Sequence, residues 1–168
     1  MPPRARRGFT LVELLVVIAV IGILAAIFVP VVQSARASSK RVACLSNLQQ
    51  LAKAVQMYVN DHQGQYFTCA SRPTLEPGLP RLCDVLTQYA PDARVFKCPA
   101  DNQDFFTKEG SSYEWAALFN GRVQDSEFEN IMGPSKTPML YDYENFHPPK
   151  TPGYGGKNVV FFDGSAGN

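Results

Sequence analysis

The feature that most restricts the fold of this chain is an uninterrupted apolar segment near its amino terminus. From Leu14 to Val32, nineteen consecutive residues carry neither a charge nor a polar side chain. A helix of about 20 apolar residues is long enough to cross the hydrocarbon core of a bilayer. An ordinary secretory signal has a shorter apolar stretch, so we expect this segment to be retained as a membrane helix.

The residues just before this segment form a specific motif. Gly8 to Glu13 reads Gly-Phe-Thr-Leu-Val-Glu and follows three arginines. This string resembles the prepilin peptidase site of type IV pilins and type II secretion pseudopilins. The resemblance implies cleavage after Gly8, N-methylation of the new terminal residue Phe9, and a role for Glu13 in assembly.

Glu13 also stands out on physical grounds. A charged side chain at the bilayer centre costs about 2.5–3.5 kcal/mol on insertion scales. Glu13 lies only about 6 Å along a helix from Phe9, so one alternative is that its carboxylate simply reaches the lipid headgroups. In the other, it pairs with the Phe9 ammonium that cleavage exposes, on a neighbouring subunit, and the pair sets the stagger between helices.

The same resemblance extends along the helix and implies a set of partners. Gly22 and Pro30 stand where pilin helices often carry these residues, and Pro30 is expected to kink or locally melt the helix because it lacks a backbone donor. The implied partners are further copies of the chain in a helical homopolymer, minor pilin-like subunits, a prepilin peptidase, an assembly platform with its ATPase, and membrane lipid.

The charge of the chain argues against nucleic-acid binding. The formal net charge is +1, and removal of the first eight residues would make it slightly negative. Nucleic-acid binding requires a concentrated basic face. We interpret Arg36, Lys40 and Arg41 as a solvated or headgroup-level helix face. The arginines on both sides of the apolar segment leave the positive-inside comparison nearly even.

Four cysteines follow the apolar segment, and none forms a CxxC pair. Disulfides outside the cytoplasm are therefore the leading interpretation. Four cysteines allow three pairings, and spacing does not select one; our working assignment is Cys44 with Cys98 and Cys69 with Cys83. The alternative is four buried free thiols. The cysteines and the resemblance together place the carboxyl-terminal part outside the cytoplasm.

Beyond the apolar segment, hydrophobic residues recur every three or four positions, which predicts an amphipathic helix that packs on a sheet. The stripe comprises Val42, Leu45, Leu48, Ala52, Val55 and Val59. The whole helix is expected to run from about Phe9 to Asn60. We therefore divide the chain into four segments: a leader at 1–8, a transmembrane helix at 9–32, its amphipathic extension at 33–60 and a loop-rich headpiece at 61–168.

The headpiece is rich in proline and glycine, which predicts short strands between turns. We expect a short helix between Pro80 and Pro91, a strand at 95–98, and better strands at 138–143 and 158–162, while 112–119 is ambiguous between strand and helix. Asp163-Gly164 is a turn signal. A long helix with several antiparallel strands predicts an α+β, pilin-like fold.

Three further strings resemble a pilin-like family with a cysteine at the helix start, a Cys-Pro-x-Asp segment and a terminal Asp-Gly strand. They begin at Cys44, Val95 and Asn158. In that family a histidine commonly precedes the Asp-Gly, and His147 is the candidate here.

No sequence motif indicates an enzyme, because the chain has no nucleophile motif, phosphate loop or HExxH helix. One group of residues suits a metal: Asp142, Glu144, His147 and Asp163 offer ligands, and hard oxygen ligands suit Ca²⁺. Major pseudopilins of type II secretion carry calcium in that region. The alternative is a set of ordinary acidic loop residues.

The sequence therefore predicts a structural subunit of a type II secretion pseudopilus or type IV pilus-like fibre, anchored by one helix in the bacterial inner membrane, with its headpiece outside the cytoplasm and its fibre in the periplasm or at the cell surface. The alternative function is a monomeric, membrane-anchored module that binds a ligand.

Overall fold

The computed structural model describes residues 11–124, 133–148 and 155–167. These residues form two compact units, one that ends at Ser38 and one that begins at Ser39. The first unit is the amino-terminal part of a single long helix. The second contains the rest of that helix together with the headpiece.

The long helix, α1, covers Leu11–Asp61, close to the predicted range of Phe9 to Asn60. It ends where Gln63 and Gly64 both take positive φ values, and the Gly64 N–H donates to the Val59 carbonyl at 2.8 Å. Such left-handed residues close many helices by satisfying their last carbonyls. The predicted helix stop is therefore confirmed.

Pro30 lies inside α1, and the helical assignment continues on both sides of it. Of the two expected effects of Pro30, local melting is wrong, and a kink stays a prediction. A proline removes only one intrahelical hydrogen bond, and the apolar turns before and after it keep their own.

Within the second unit, one face of α1 is buried, as the amphipathic pattern predicts. Its buried residues are Arg41, Cys44, Leu48, Leu51, Ala52, Ala54, Val55 and Val59. Two details differ from the prediction: Val42 is 66% exposed, whereas Arg41, expected on the solvated face, is only 8% exposed. The buried stripe therefore starts one position earlier than the hydrophobic residues suggest.

The sheet has four antiparallel strands in sequential order: β1 (Tyr113–Trp115), β2 (Pro138–Asp142), β3 (Val159–Phe161) and β4 (Ala166–Gly167). Both of the strands predicted near the carboxyl end, β2 and β3, are confirmed. Gly164, at φ 81°, lies in the turn between β3 and β4, as Asp163-Gly164 indicated. The α+β class is likewise confirmed.

Short helices connect α1 to this sheet. Helix α2 spans Leu82–Leu86, within the predicted range, and α3 spans Phe105–Glu109. The predicted strand at 95–98 is wrong, because Ala93–Phe96 forms a 3-10 turn. The Asp92 carboxylate accepts the Arg94 N–H at 3.0 Å and starts that turn, an example of a short polar side chain that competes with extended structure.

The start of α3 is held by one carboxylate. Asp101 accepts hydrogen bonds from the main-chain N–H groups of Phe105 and Phe106, at 3.3 and 3.0 Å, and from the Ser112 hydroxyl at 2.7 Å. Ser112 directly precedes β1, so this carboxylate ties α3 to the edge of the sheet.

The core lies between the buried face of α1 and the sheet, and aromatic rings fill one end of it. Trp115 is fully buried, and its ring centroid lies 4.6 Å from that of Phe67. The Asn120 side chain accepts from the Trp115 indole N–H at 2.9 Å and donates to the Cys69 carbonyl at 2.9 Å. The indole therefore keeps a hydrogen-bond partner in an otherwise apolar environment.

Candidate functional site

The first candidate site is the apolar surface of α1 in the first unit. Most of its large side chains are exposed, from 47% at Val17 to 78% at Leu11, whereas Val32 is half-buried. In the part of the chain that the structure describes, α1 is the one helix long and apolar enough to cross a membrane, and the most apolar stretch buries none of its residues. Exposed apolar surface on this scale marks a contact with lipid or with another protein.

The residues predicted to act in assembly lie along this surface. Glu13 is in the first turn of α1 as described, and a Cβ added to Gly22 would meet no atom within 4 Å. Gly8 and Phe9, the predicted processing site, lie outside the described residues. Their cleavage and methylation stay predictions.

The second candidate site is inside the headpiece, around a disulfide. The structure joins Cys44 of α1 to Cys98, with 5.1 Å between their Cα atoms and both side chains fully buried. The bond ties α1 to the segment that leads into α3, across 54 positions of sequence.

The working assignment of a second disulfide between Cys69 and Cys83 is wrong, because both are free thiols. Cys69 is fully buried, and burial raises the pKa of its thiol to about 12. The Cys83 thiol instead approaches the Asp84 carboxylate at 3.7 Å and packs against Gly110. The two thiols therefore have separate environments, and neither is an activated thiolate.

Two of the predicted metal ligands meet beside the disulfide. The His147 Nε2 atom lies 3.6 Å from Oδ2 of Asp142 and 3.5 Å from Sγ of Cys98. Burial raises the pKa of Asp142 to about 7, and burial together with the Arg41 charge lowers the pKa of His147 to about 4. The imidazole is therefore neutral at pH 7, and its contact with Asp142 is not a full ion pair.

The other two predicted ligands lie elsewhere. Glu144 pairs with Arg72 at 3.4 Å, and Asp163 is exposed at the β3–β4 turn, where it accepts from the Ser165 N–H at 2.8 Å. Among the described residues, the structure does not bring Asp142, Glu144, His147 and Asp163 into one site. The reason is that Asp142 and His147 point into the core, whereas the other two carboxylates are satisfied at the surface.

Sequence reasoning missed two members of this buried group, Arg41 and Asn158. The Arg41 Nε donates to the Asn158 Oδ1 at 3.4 Å, and the Asn158 main-chain N–H donates to Oδ2 of Asp142 at 2.8 Å. A signal for Arg41 was present, because it stands three positions before Cys44 and so continues the buried stripe of α1.

Gly156 fixes the position of His147. The His147 N–H donates to the Gly156 carbonyl at 3.1 Å, and a Cβ at position 156 would clash with the His147 carbonyl oxygen. Only glycine allows the two main-chain segments to approach this closely.

The motif at the start of the uncovered helix is similar to a motif of prokaryotic chains. Residues 3–29 match the family model described as the prokaryotic N-terminal methylation motif. That match covers the predicted cleavage site and most of the apolar segment.

Comparisons with curated proteins give partial matches that share one name. The chain is 33% identical over 96 residues to the Type II secretion system core protein G of Klebsiella michiganensis, which covers 57% of this chain and 62% of that protein. It is 34% identical over 97 residues to the protein of the same name from Aeromonas hydrophila, a match that covers 58% of this chain and 62% of that protein. It is 30% identical over 102 residues to the protein of the same name from Escherichia coli K12, a match that covers 57% of this chain and 66% of that protein.

The chain therefore spans less than two thirds of the length of these relatives. No solved structure matches it. The matches nevertheless confirm the resemblance that the residues around Gly8 indicated, and together with the apolar helix they fit a membrane-anchored protein.

Proposed function

We propose that this chain is a structural subunit of a type II secretion pseudopilus or a related pilus-like fibre. Prepilin peptidase cleaves it after Gly8, and it assembles with further copies and with minor pilin-like subunits through α1. An assembly platform and its ATPase drive that step, and the headpiece faces the periplasm. The observation that carries the proposal is the uncovered apolar surface of α1, directly after a methylation motif.

Lipid contact alone satisfies that surface in the monomer, so a second force is needed for assembly. Apolar helices gain no hydrophobic free energy from meeting in a membrane, and their association depends on packing and on polar contacts. A carboxylate at the start of the helix supplies such a contact.

We infer that this contact joins Glu13 of one subunit to the Phe9 ammonium of the next. Cleavage after Gly8 creates a positive charge four residues before Glu13, and the two charges on neighbouring helices compensate each other in a medium of low dielectric constant. A buried ion pair specifies register better than it adds stability. The pair therefore sets the stagger of subunits in the fibre.

The headpiece suits a subunit displayed outside the cytoplasm. Its Cys44–Cys98 disulfide ties the core of the headpiece to α1, and disulfides persist in oxidising compartments such as the periplasm. A crosslinked headpiece holds its shape while α1 leaves the membrane.

Replacement of Glu13 by alanine tests this proposal. In cells that carry the matching secretion apparatus, the E13A chain is expected to be cleaved and inserted normally and to be missing from sheared fibre fractions, because the Phe9 ammonium has lost its partner. Immunoblots of membranes and of fibres measure the two steps separately.

Val12→Ala is the matched control, since Val12 is an exposed apolar neighbour of Glu13, and it should leave fibres near the native amount. Fibres from E13A at the native level would contradict the role of Glu13. A native chain that gives only monomers after chemical crosslinking of membranes would favour the monomeric ligand-binding module instead.

A further inference from the structure

The group around the disulfide has the composition and spacing of a metal site. One ligand atom from each of Cys44, Cys98 and His147 lies within 4.8 Å of the other two, and all three residues are buried. We call these three residues the Cys-Cys-His cluster. A pair of sulfurs with one imidazole nitrogen is a donor set that zinc prefers.

The distances match those between ligands around tetrahedral zinc. Zinc–sulfur bonds of about 2.3 Å and zinc–nitrogen bonds of about 2.0–2.1 Å place a sulfur and a nitrogen about 3.5 Å apart. The Cys98 Sγ and His147 Nε2 atoms are 3.5 Å apart. In the same geometry, two sulfur ligands of one zinc ion lie about 3.8 Å apart. The Cα atoms of Cys44 and Cys98 are 5.1 Å apart. Once the disulfide is reduced, rotation of the two side chains can therefore bring their sulfurs to that separation.

A fourth donor lies next to the cluster. Oδ2 of Asp142 is 3.6 Å from His147 Nε2, close to the roughly 3.3 Å expected between nitrogen and oxygen ligands of one zinc ion. Asp142 is fully buried, and within the described ranges its Oδ1 atom has no hydrogen-bond partner. An unsatisfied buried carboxylate oxygen is costly, and coordination of a cation would satisfy it.

The surroundings also balance the charge of a zinc complex. Zn²⁺ with two thiolates, one carboxylate and a neutral imidazole carries one net negative charge. Arg41 is buried nearby and reaches Asp142 through Asn158, by hydrogen bonds of 3.4 and 2.8 Å. The Ala100 N–H lies 3.4 Å from Cys98 Sγ, which suits a thiolate acceptor. Such surrounding hydrogen bonds orient metal ligands.

We propose that the reduced form of this chain binds one Zn²⁺ through Cys44, Cys98 and His147, with Asp142 as the fourth ligand. Reduction by a dithiol breaks the sulfur–sulfur bond, transfers two electrons and two protons to it, and converts the dithiol to its own disulfide. Zinc binding then releases the two thiol protons. The same two cysteines therefore form a disulfide when oxidised and bind the metal as thiolates when reduced.

The disulfide and the zinc ion join the same two segments, α1 and the chain that enters α3. The headpiece therefore keeps its long-range crosslink in both redox states, provided that zinc is present when the bond is reduced.

Cobalt titration of the full-length chain in detergent micelles tests the proposal. The chain is reduced with a phosphine, which offers no competing thiol, and freed of excess reagent and metal. We expect one Co²⁺ per chain, with the thiolate-to-cobalt charge-transfer band and the visible bands of tetrahedral cobalt, and displacement of cobalt by one Zn²⁺. The oxidised chain should give no charge-transfer band.

Variants identify the ligands. His147→Gln keeps similar bulk without a ring nitrogen and should abolish the tetrahedral cobalt spectrum. Asp142→Asn should weaken metal binding by at least roughly tenfold, the smallest cost of losing even a group that only supports a ligand. The matched control is C69A/C83A, which removes the two free thiols and should bind one cobalt like the native chain. Circular dichroism before metal addition reports whether each reduced chain is folded.

A measurement without substitutions complements these. Zinc should protect Cys44 and Cys98 of the reduced native chain from alkylation, as read by peptide mass spectrometry. Absence of one-to-one binding by the reduced native chain, folded or not, would overturn the proposal. An unchanged cobalt spectrum in the His147→Gln chain, or its loss in C69A/C83A, would do the same.

Discussion

Replacement of both Cys44 and Cys98 by alanine is expected to lower the free energy of unfolding of the headpiece by about 4 kcal/mol. The two residues are separated by 54 positions. In the chain-entropy model, a crosslink over a loop of that length removes about 14 cal/mol/K from the unfolded ensemble, which is about 4 kcal/mol at 25 °C. Alanine is preferred to serine because a hydroxyl at these buried positions would add a desolvation cost.

This loss is a large part of the stability of an ordinary domain, about 5–15 kcal/mol. The assay is urea unfolding of the full-length chain in detergent with a metal chelator present. Trp115 is the one tryptophan in the sequence and is fully buried, so its fluorescence reports loss of the headpiece core. A reductant should bring the native chain to the midpoint of C44A/C98A and leave that variant unchanged.

C69A/C83A is the control for the loss of sulfur atoms alone, because these thiols are not crosslinked. Each small deletion should cost on the order of 1 kcal/mol or less, and the reductant should still destabilise this variant. Two results would contradict a single stabilising Cys44–Cys98 disulfide. One is a native chain whose stability does not change with reductant. The other is a C44A/C98A chain that a reductant destabilises further, which would reveal a second disulfide.

Three more substitutions, two of them with a matched control substitution, test the packing of the headpiece. Leu48→Ala should lower the free energy of unfolding in urea by about 2–5 kcal/mol, because the side chain is fully buried. Val42→Ala, on the exposed side of the same helix, is its control and should change that free energy by no more than about 0.5 kcal/mol. Burial acts to raise the pKa of Asp101, but hydrogen bonds from a serine hydroxyl and three main-chain N–H groups outweigh it and hold that pKa below its ordinary value of 3.8. Asp101→Ala should therefore lower the free energy of unfolding by about 1.5–3 kcal/mol at neutral pH. The difference in unfolding free energy between the native chain and this variant should shrink below pH 3.8, since the stabilisation is lost as the folded carboxylate is protonated. A difference that stays constant as the pH is lowered would contradict this. Gly156→Ala should lower the melting temperature because the added Cβ clashes with a main-chain carbonyl oxygen, whereas Gly78→Ala, which meets no atom within 4 Å, should not.

Much of the helical structure could be predicted because its signals are local. The apolar run and the three-or-four-residue period of α1 lie within one segment, so a single helix accounts for both. Strands β2 and β3 were predictable for the same reason, since each is a short apolar run, and Asp163-Gly164 adds a turn signal at the end of β3. The error at Ala93–Phe96 arose because the Asp92 side chain, not the apolar pattern, determines the local turn.

The buried polar group could not be assembled from the sequence. Arg41, Asp142, His147 and Asn158 meet only after the sheet packs on α1, and one hydrogen bond between them joins residues 117 positions apart. The four proposed calcium ligands failed as a set because closeness along the chain does not fix side-chain direction. Asp142 points inward from a strand, whereas Glu144, two positions later, reaches Arg72 at the surface.

We propose that the uncovered apolar surface of α1 belongs to a processed subunit whose new amino terminus pairs with Glu13 of its neighbour. Mass spectrometry of the amino-terminal peptide, from protein purified out of its native membranes, distinguishes a processed chain from an unprocessed one. We expect a peptide that begins with N-methylated Phe9. A mature chain that still carries Gly8 or any residue before it would show that Glu13 has no such terminus to pair with.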